Sequence, residues 1–142
     1  MKLEKLEPLT NEYLDSIGFT WHTDSDETSY ISDEVVVISE KEANNYYEAV
    51  NELYDMFCEA GEHVVENDLF HDLNIPFNLV EVIKESWEND VHWHLYSRFD
   101  LAGGIDGKPI KLIEFNADTP TSLFETCIVQ WALLKANGMD DA

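Results

Sequence analysis

Basic side chains are scarce in this sequence, which has 8 lysine and arginine residues against 30 acidic ones. The net charge of −22 argues against nucleic-acid binding, because that function needs a positively charged surface. The charge is compatible with metal ions or cationic substrates such as polyamines, but a solvated acidic surface is the commoner explanation. Arg98 is the only arginine, and its guanidinium group suits a carboxylate or a phosphate.

Other features that the sequence lacks narrow the possible classes of protein further. Cys58 and Cys127 are the only cysteines, and they are typical of reduced thiols, not of a disulfide framework. The sequence has no apolar run of about 18 residues and no apolar signal-peptide core in "MKLEKLEPLTNEY". We therefore expect a cytoplasmic protein that binds neither membranes nor nucleic acid.

The composition that remains is that of a globular chain. With 142 residues, of which 44% are hydrophobic and 12% aromatic, the sequence predicts one domain spanning residues 1–142. The sequence does not predict the oligomeric state.

Helical periodicity dominates the first two thirds of the sequence. "EVVVI", residues 34–38, predicts a short strand. Apolar residues at spacings of three and four then predict a long amphipathic helix from Ser39 to about Val64. A second helix is expected from Asn78 to about Trp87.

The last third of the sequence changes to strand periodicity. Alternation in "VHWHLYSRFDL", residues 91–101, predicts a strand with one polar face. Asp106-Gly107 predicts a hairpin turn, and "IKLIEFN", residues 110–116, predicts the return strand. A final helix is expected from Ser122 to about Asn137.

These elements predict an α+β (mixed) fold, in which helices pack on a small sheet that contains the antiparallel hairpin. The predicted core consists of apolar residues from every element: Val36, Tyr46, Val50, Leu53, Phe57, Val80, Ile83, Trp87, Leu95, Phe99, Ile113, Phe115, Ile128 and Trp131.

The polar faces of the two hairpin strands predict a metal site. Arg98 and Asp100 share one face of the outgoing strand, and Glu114 and Asn116 share one face of the return strand. If these faces coincide, two carboxylates and an amide oxygen meet beside an arginine. Such a set of hard oxygen ligands suits Mg²⁺, which takes its other ligands from water and substrate phosphates.

The simplest pairing of the strands does not bring these faces together. A two-residue turn at Asp106-Gly107 would place Asp100 opposite Ile113. One extra residue on either strand corrects the phase, so we expect a β-bulge or a wider loop at Gly103-Gly104.

A second cluster follows the return strand. Thr119 and Thr121 precede the start of the last helix, whose free backbone N–H groups favour an anion. Carboxylates and hydroxyls before a capped helix also occur for structural reasons alone, so this pattern leaves both interpretations open.

The segment "LYSRFDLAGGIDGKPIKLIEFNADTPTSLFETCIVQW" closely resembles the glutathionylspermidine synthase family. The segments "SIGFTWHT" and residues 76–87 are also similar to the N-terminal region of that family. The resemblance implies an ATP-dependent carboxylate–amine ligase with a pre-ATP-grasp-like N-terminal part. Such a ligase joins the glycine carboxylate of glutathione to a polyamine such as spermidine, through an acyl phosphate.

The resemblance also implies roles for individual residues. Asp100, Glu114 and Asn116 match magnesium ligands that serve the nucleotide cofactor. Arg98, Thr119 and Thr121 match positions that bind the glutathione-like acid, and Arg98 also matches a position that contacts the transition state. The implied cofactors are Mg²⁺ and ATP.

The sequence departs from the family in one large respect. The nucleotide-binding lysines and the amine site of the family belong to an ATP-grasp portion, which has no counterpart in these 142 residues. The sequence also contains no Gly-rich phosphate loop. We therefore expect that this chain alone does not catalyse the ligation.

Three other interpretations compete with the ligase. His92 and His94 share a strand face, and with Asp100 or His71 they would form a zinc site, although the usual zinc spacings are absent. A glycoside hydrolase would use paired carboxylates, but it gives no reason for the neighbouring Asn116. The strongest alternative is a truncated, inactive domain that binds Mg²⁺ and a small anion, or that binds another protein.

Overall fold

The computed structural model of the chain describes residues 2–89 and 95–139. Its helices and strands form a mixed α+β architecture with two antiparallel two-stranded sheets, which confirms the predicted fold class. In chain order the elements are β1 (Lys2–Lys5), α1 (Asn11–Ser16), β2 (Glu34–Val37), α2 (Glu40–Glu66), α3 (Phe77–Glu88), β3 (Ser97–Ala102), β4 (Lys111–Ala117), a π-helical turn (Glu125–Val129) and α4 (Gln130–Ala136).

The chain folds into two compact units. The terminal unit combines Met1–Ser39 with Pro120–Ala142, and the central unit is Glu40–Thr119. The predicted hairpin is β3 and β4, so it lies entirely within the central unit.

The terminal unit has a small core that joins segments far apart in sequence. Leu14, Phe19 and Val129 are buried, and Phe19 is fully buried, with 0% exposure. The Phe19 ring stacks on that of Phe124 with 5.9 Å between centroids and contacts that of Trp21 at 4.5 Å. Burial of these aromatic rings fixes the segment after α1 against the π-helical turn.

The sheet of the terminal unit pairs β1 with β2, with Leu3 opposite Val36. The strand β2 was predicted, whereas β1 was not. Val36 was predicted to be buried but is 54% exposed, because it lies on the open face of the sheet together with Leu3, which is 55% exposed.

The central unit is organised by the long helix α2. Its observed bounds, Glu40–Glu66, confirm the helix predicted from apolar spacing. The helix α3 packs closely on it: a side chain at Gly61 would come within 2.6 Å of the Trp87 ring. In the described parts of the chain, no helix is long and apolar enough to cross a membrane.

The hairpin packs on α2 through aromatic rings. Phe115 lies 4.5 Å from both Phe57 and Phe99, measured between ring centroids, and it stacks on Phe99. Six other residues predicted for the core are also exposed: Phe57 by 38%, Trp87 by 43%, Leu95 by 95%, Ile113 by 68%, Ile128 by 39% and Trp131 by 44%. Leu95 precedes the first paired residue of β3, and Ile113 is displaced by an irregularity of β4 described below.

The loop of the hairpin is held by the first turns of α2. The Tyr46 hydroxyl donates to the carbonyl of Gly103, and the Glu42 carboxylate accepts from the backbone N–H of Asp106 at 3.1 Å. Gly103 and Gly104 have φ of +81° and +78°, a conformation that favours glycine. A side chain at Gly104 would also come within 2.4 Å of the Tyr46 ring.

This packing predicts a stability effect at Gly104. Gly104→Ala is expected to lower the free energy of unfolding of the central unit by about 2–3 kcal/mol, because the new methyl group strains the backbone and displaces Tyr46. Gly107→Ala is the matched control: φ is +72° but nothing lies within 4 Å, so only about 1 kcal/mol is expected. Urea titration of both variants measures the difference, and equal losses would contradict the role of Tyr46.

Candidate functional site

The pairing of β3 with β4 brings the predicted polar residues together. Arg98 lies directly opposite Asn116, and Asp100 lies directly opposite Glu114. Residues opposite one another in an antiparallel pair have their Cβ atoms about 5 Å apart on the same face. The four side chains therefore form one polar face, here called the polar hairpin face.

A β-bulge makes this shared face possible. Near the turn, Leu101 pairs with Leu112, which is the register expected for a turn at Asp106-Gly107. The register shifts between Asp100 and Leu101, and Ile113 is the extra residue on β4. A change of phase was correctly predicted from the sequence, and residues 103–110 lie outside the ladder as a wide loop.

The predicted position of the bulge at Gly103-Gly104 was wrong. Those glycines adopt left-handed backbone conformations within the loop, where they fit beside Tyr46 and Pro109, instead of inserting a residue into the ladder. The bulged residue is Ile113, and its displacement accounts for its exposure.

The polar hairpin face lies opposite the face that packs on α2. Phe99 and Phe115 also form a directly opposed pair, and their rings contact Phe57. Because side chains alternate along a strand, the residues flanking these two phenylalanines point the other way. The aromatic packing therefore orients the polar side chains.

The electrostatics of the face favour a cation. Asp100 and Glu114 are like charges in a directly opposed pair, which is destabilising unless a positive charge intervenes. The Nε of Arg98 lies 3.4 Å from Oδ1 of Asp100, and both side chains are partly exposed. Arg98 therefore offsets part of the negative charge while remaining at the edge of the face.

Asn116 contributes an unusual group to the face. Its Nδ2 atom is buried and has no hydrogen-bond partner among the described residues. A buried N–H donor without a partner costs free energy, so Nδ2 is a natural contact point for an acceptor atom of a ligand, whereas a metal ion would bind Oδ1. The carboxylate and amide oxygens of this face match the ligand preference of Mg²⁺.

The described residues contain no group of three histidine, cysteine, aspartate or glutamate side chains that could hold a metal ion. A metal on the polar hairpin face would accordingly take two carboxylates and one amide from the protein. His92 and His94, the basis of the zinc alternative, lie outside the described residues.

The end of β4 leads directly into the two predicted anion-binding threonines. Thr119 is half-buried in the central unit, and its Oγ1 donates to the carbonyl of Ala117 at 3.3 Å. Thr121 belongs to the terminal unit. Its role as a substrate contact stays a prediction, as do the roles of the other candidate residues.

One residue beside the face was missed by sequence reasoning. The Oδ1 atom of Asp118 accepts a hydrogen bond from the backbone N–H of Leu95 at 3.0 Å. Asp118 has φ of +50°, a conformation that aspartate tolerates better than most residues. An aspartate at the end of a predicted strand was the available signal for such a contact.

Comparison with known proteins finds sequence relatives that are named as ligases or synthetases. The putative acid–amine ligase of Haemophilus influenzae is 32% identical over 123 residues, covering 84% of this chain and 30% of that protein. The bifunctional glutathionylspermidine synthetase/amidase of Escherichia coli is 28% identical over 145 residues, covering 99% of this chain and 22% of that protein. The trypanothione synthetase of Crithidia fasciculata is 29% identical over 108 residues, covering 68% of this chain and 16% of that protein.

These relatives are all named as ligases or synthetases, and this chain spans less than a third of the length of each. The family model for the glutathionylspermidine synthase preATP-grasp region matches residues 1–142. The chain therefore belongs to the glutathionylspermidine synthase preATP-grasp family, which confirms the resemblance seen in the sequence. No solved structure gives a significant match.

Proposed function

We propose that this chain is the N-terminal, metal- and acid-binding part of an ATP-dependent carboxylate–amine ligase. The acid substrate is a glutathione-like molecule with a terminal carboxylate, and the amine is a polyamine such as spermidine. The observation that carries the proposal is the register of β3 and β4, which sets Asp100 opposite Glu114 and Arg98 opposite Asn116.

The protein ligands of the metal would be Asp100, Glu114 and Asn116. They fit Mg²⁺ because each offers a hard oxygen atom and because the opposed carboxylates need a positive charge between them. When bound, Mg²⁺ would offset negative charge on the phosphate groups of the nucleotide. The hairpin, which packs on α2 through Phe115, would fix the direction from which those phosphates approach.

The acid substrate would be held beside this position. Arg98 would bind a carboxylate or phosphate oxygen and offset the negative charge that develops during the reaction. The Thr119 hydroxyl would turn from the carbonyl of Ala117 to donate its hydrogen bond to the acid, and Thr121 would supply a second hydroxyl. In the overall reaction the acid carboxylate takes a phosphoryl group from ATP, and the amine then displaces phosphate to form the amide.

The nucleotide and the amine need further protein groups. The sequence has no Gly-rich phosphate loop, and its acidic composition offers few cations for a triphosphate. We therefore propose that the ATP-grasp portion of such a ligase lies outside these residues. We also propose that the protein acts in the cytoplasm.

This proposal predicts binding without turnover. The chain of residues 1–142 is expected to bind glutathione in the presence of Mg²⁺ and ADP, but to form no amide product from ATP, glutathione and spermidine. Calorimetry measures the binding, and mass spectrometry measures the product. Arg98→Ala is expected to weaken glutathione binding by about 10- to 100-fold, the cost of losing a charge-assisted hydrogen bond.

Each alternative outcome has a distinct meaning. An amide product made by this chain alone would contradict the division of the active site between two portions. Magnesium binding without any glutathione binding would favour the alternative function, an inactive domain that binds a metal or a protein partner. Unchanged glutathione binding in the Arg98 variant would remove Arg98 from the acid-binding site.

A further inference from the structure

The open end of the β3–β4 hairpin lies next to the polar hairpin face. The last pair of the ladder is Ser97 with Ala117, and the adjacent pair is Arg98 with Asn116. A two-stranded hairpin is only marginally stable alone, and its ends open first. The pairing of Arg98 with Asn116, two candidate ligand-binding residues, therefore depends on the contacts that hold this end of the hairpin together.

The contact that closes it comes from a side chain. If the ladder continued beyond Ser97 and Ala117, Leu95 would lie opposite Thr119. Instead, the backbone of Asp118 adopts a left-handed conformation with φ of +50°. Its Oδ1 accepts a hydrogen bond from the backbone N–H of Leu95 at 3.0 Å. The carboxylate thus supplies a cross-strand hydrogen bond where the backbone of β4 has turned away.

The surroundings of Asp118 support a fixed position for this carboxylate. The next residue, Thr119, donates to the carbonyl of Ala117, so the turn after β4 has a hydrogen bond of its own. Burial, the side chain of Cys58 and then the charge of Asp118 raise the pKa of Tyr54 on α2. The Asp118 carboxylate consequently lies within electrostatic reach of the helix that supports the hairpin.

We propose that Asp118 is a positioning residue for the polar hairpin face: by binding the N–H of Leu95 it closes the hairpin and keeps Arg98 opposite Asn116. This role needs a hydrogen-bond acceptor at Oδ1, but it does not need a negative charge. The exposed side chain of Leu95 is not involved, since the bond is made by its backbone. The consequence for metal binding rests on the function proposed above.

Two variants separate these requirements. Asp118→Gly removes the acceptor but fits the left-handed backbone, so the chain can still turn there. Asp118→Asn keeps Oδ1 and also tolerates that conformation, but it removes the charge. Amide hydrogen exchange of Leu95 reports on the hydrogen bond itself, and Mg²⁺ titration reports on the polar hairpin face.

We expect the Leu95 amide to exchange about fivefold to tenfold faster in Asp118→Gly, the factor for one lost hydrogen bond, and at the wild-type rate in Asp118→Asn. The affinity for Mg²⁺ should fall by about 10- to 100-fold in the glycine variant, as when a supporting partner of a metal ligand is lost. The asparagine variant should restore most of that affinity.

Three results would overturn the proposal. Wild-type exchange of Leu95 in Asp118→Gly would mean that the carboxylate does not hold the hairpin closed. Weak magnesium binding in Asp118→Asn, with Leu95 still protected, would mean that Asp118 acts through its charge. Wild-type magnesium affinity in Asp118→Gly, with Leu95 deprotected, would mean that closing the hairpin does not position the face.

The exchange measurement also separates this proposal from the proposed function. A wild-type chain that binds no Mg²⁺ would overturn the proposed function and, with it, the positioning role of Asp118. Protection of Leu95 in that chain, lost in Asp118→Gly, would then still establish the closing hydrogen bond as a structural contact.

Discussion

Alanine in place of Asp100 or Glu114 is expected to weaken magnesium binding by about 100-fold or more. Each substitution removes one of two opposed carboxylates, whereas loss of a supporting partner alone costs about 10- to 100-fold in metal affinity. The remaining carboxylate would no longer face a like charge, so its gain on binding a cation would fall as well. Calorimetric titration with Mg²⁺, with and without ADP and glutathione, measures the loss.

The strong negative charge of the chain makes a control necessary. Glu81→Ala removes an exposed carboxylate from α3 and changes the net charge by the same amount, without altering the hairpin. Its magnesium affinity should equal that of the wild type. Equal losses in all three variants would mean that Mg²⁺ responds to the overall charge of −22 and not to a defined set of ligands.

Replacing Phe115 with alanine should have the second large effect, this time on stability. Its ring contacts those of Phe57 and Phe99 at 4.5 Å, so its loss leaves a cavity between α2 and the hairpin. We expect the free energy of unfolding of the central unit to fall by about 3 kcal/mol, the lower end of the range for replacing a core phenylalanine by alanine, because Phe115 is half-buried. Urea unfolding followed through amide signals of residues 40–89 measures this change.

Ile113→Ala is the matched control for this substitution. It truncates an apolar side chain two positions earlier on the same strand, but Ile113 is 68% exposed at the bulge. Its cost should stay below about 1 kcal/mol. Similar losses in both variants would contradict the assignment of the packed and polar faces of the hairpin.

The sequence predicted the local structure of the central unit well. The apolar spacing of α2 and the Asp106-Gly107 turn are short-range signals, and both elements are present where they were expected. The need for a change of register also followed from the sequence, because strand alternation left Asp100 opposite an apolar residue. The location of that change was not predictable, since either strand could supply the extra residue.

The parts that could not be predicted depend on contacts between distant segments. Phe19 follows the short helix α1, and its burial depends in part on Phe124 and Val129, which return to it from the other end of the chain. Three of the four residues of strand β1 are charged and have little strand propensity, and the strand forms by pairing with β2. Contacts between distant segments therefore determine both the burial of Phe19 and the formation of β1.

The candidate ligands were predicted because strand periodicity is strict. Alternation assigned Asp100 to the polar face of one strand and Glu114 and Asn116 to that of the other, and the expected change of register joins the two faces in the observed pairing. Asp118 was missed because its contact uses a left-handed turn and the backbone of a residue outside the ladder. Neither feature has a periodic signature.

The most direct test of the polar hairpin face is a Mg²⁺ titration of the isotopically labelled chain, followed by the amide resonances of each residue. A metal site on the polar hairpin face should give saturable shifts concentrated at residues 98–100 and 114–116, with little change along the acidic helix α2. Shifts that spread over α2 and rise without saturation would contradict it, because they would show that Mg²⁺ only screens the acidic surface.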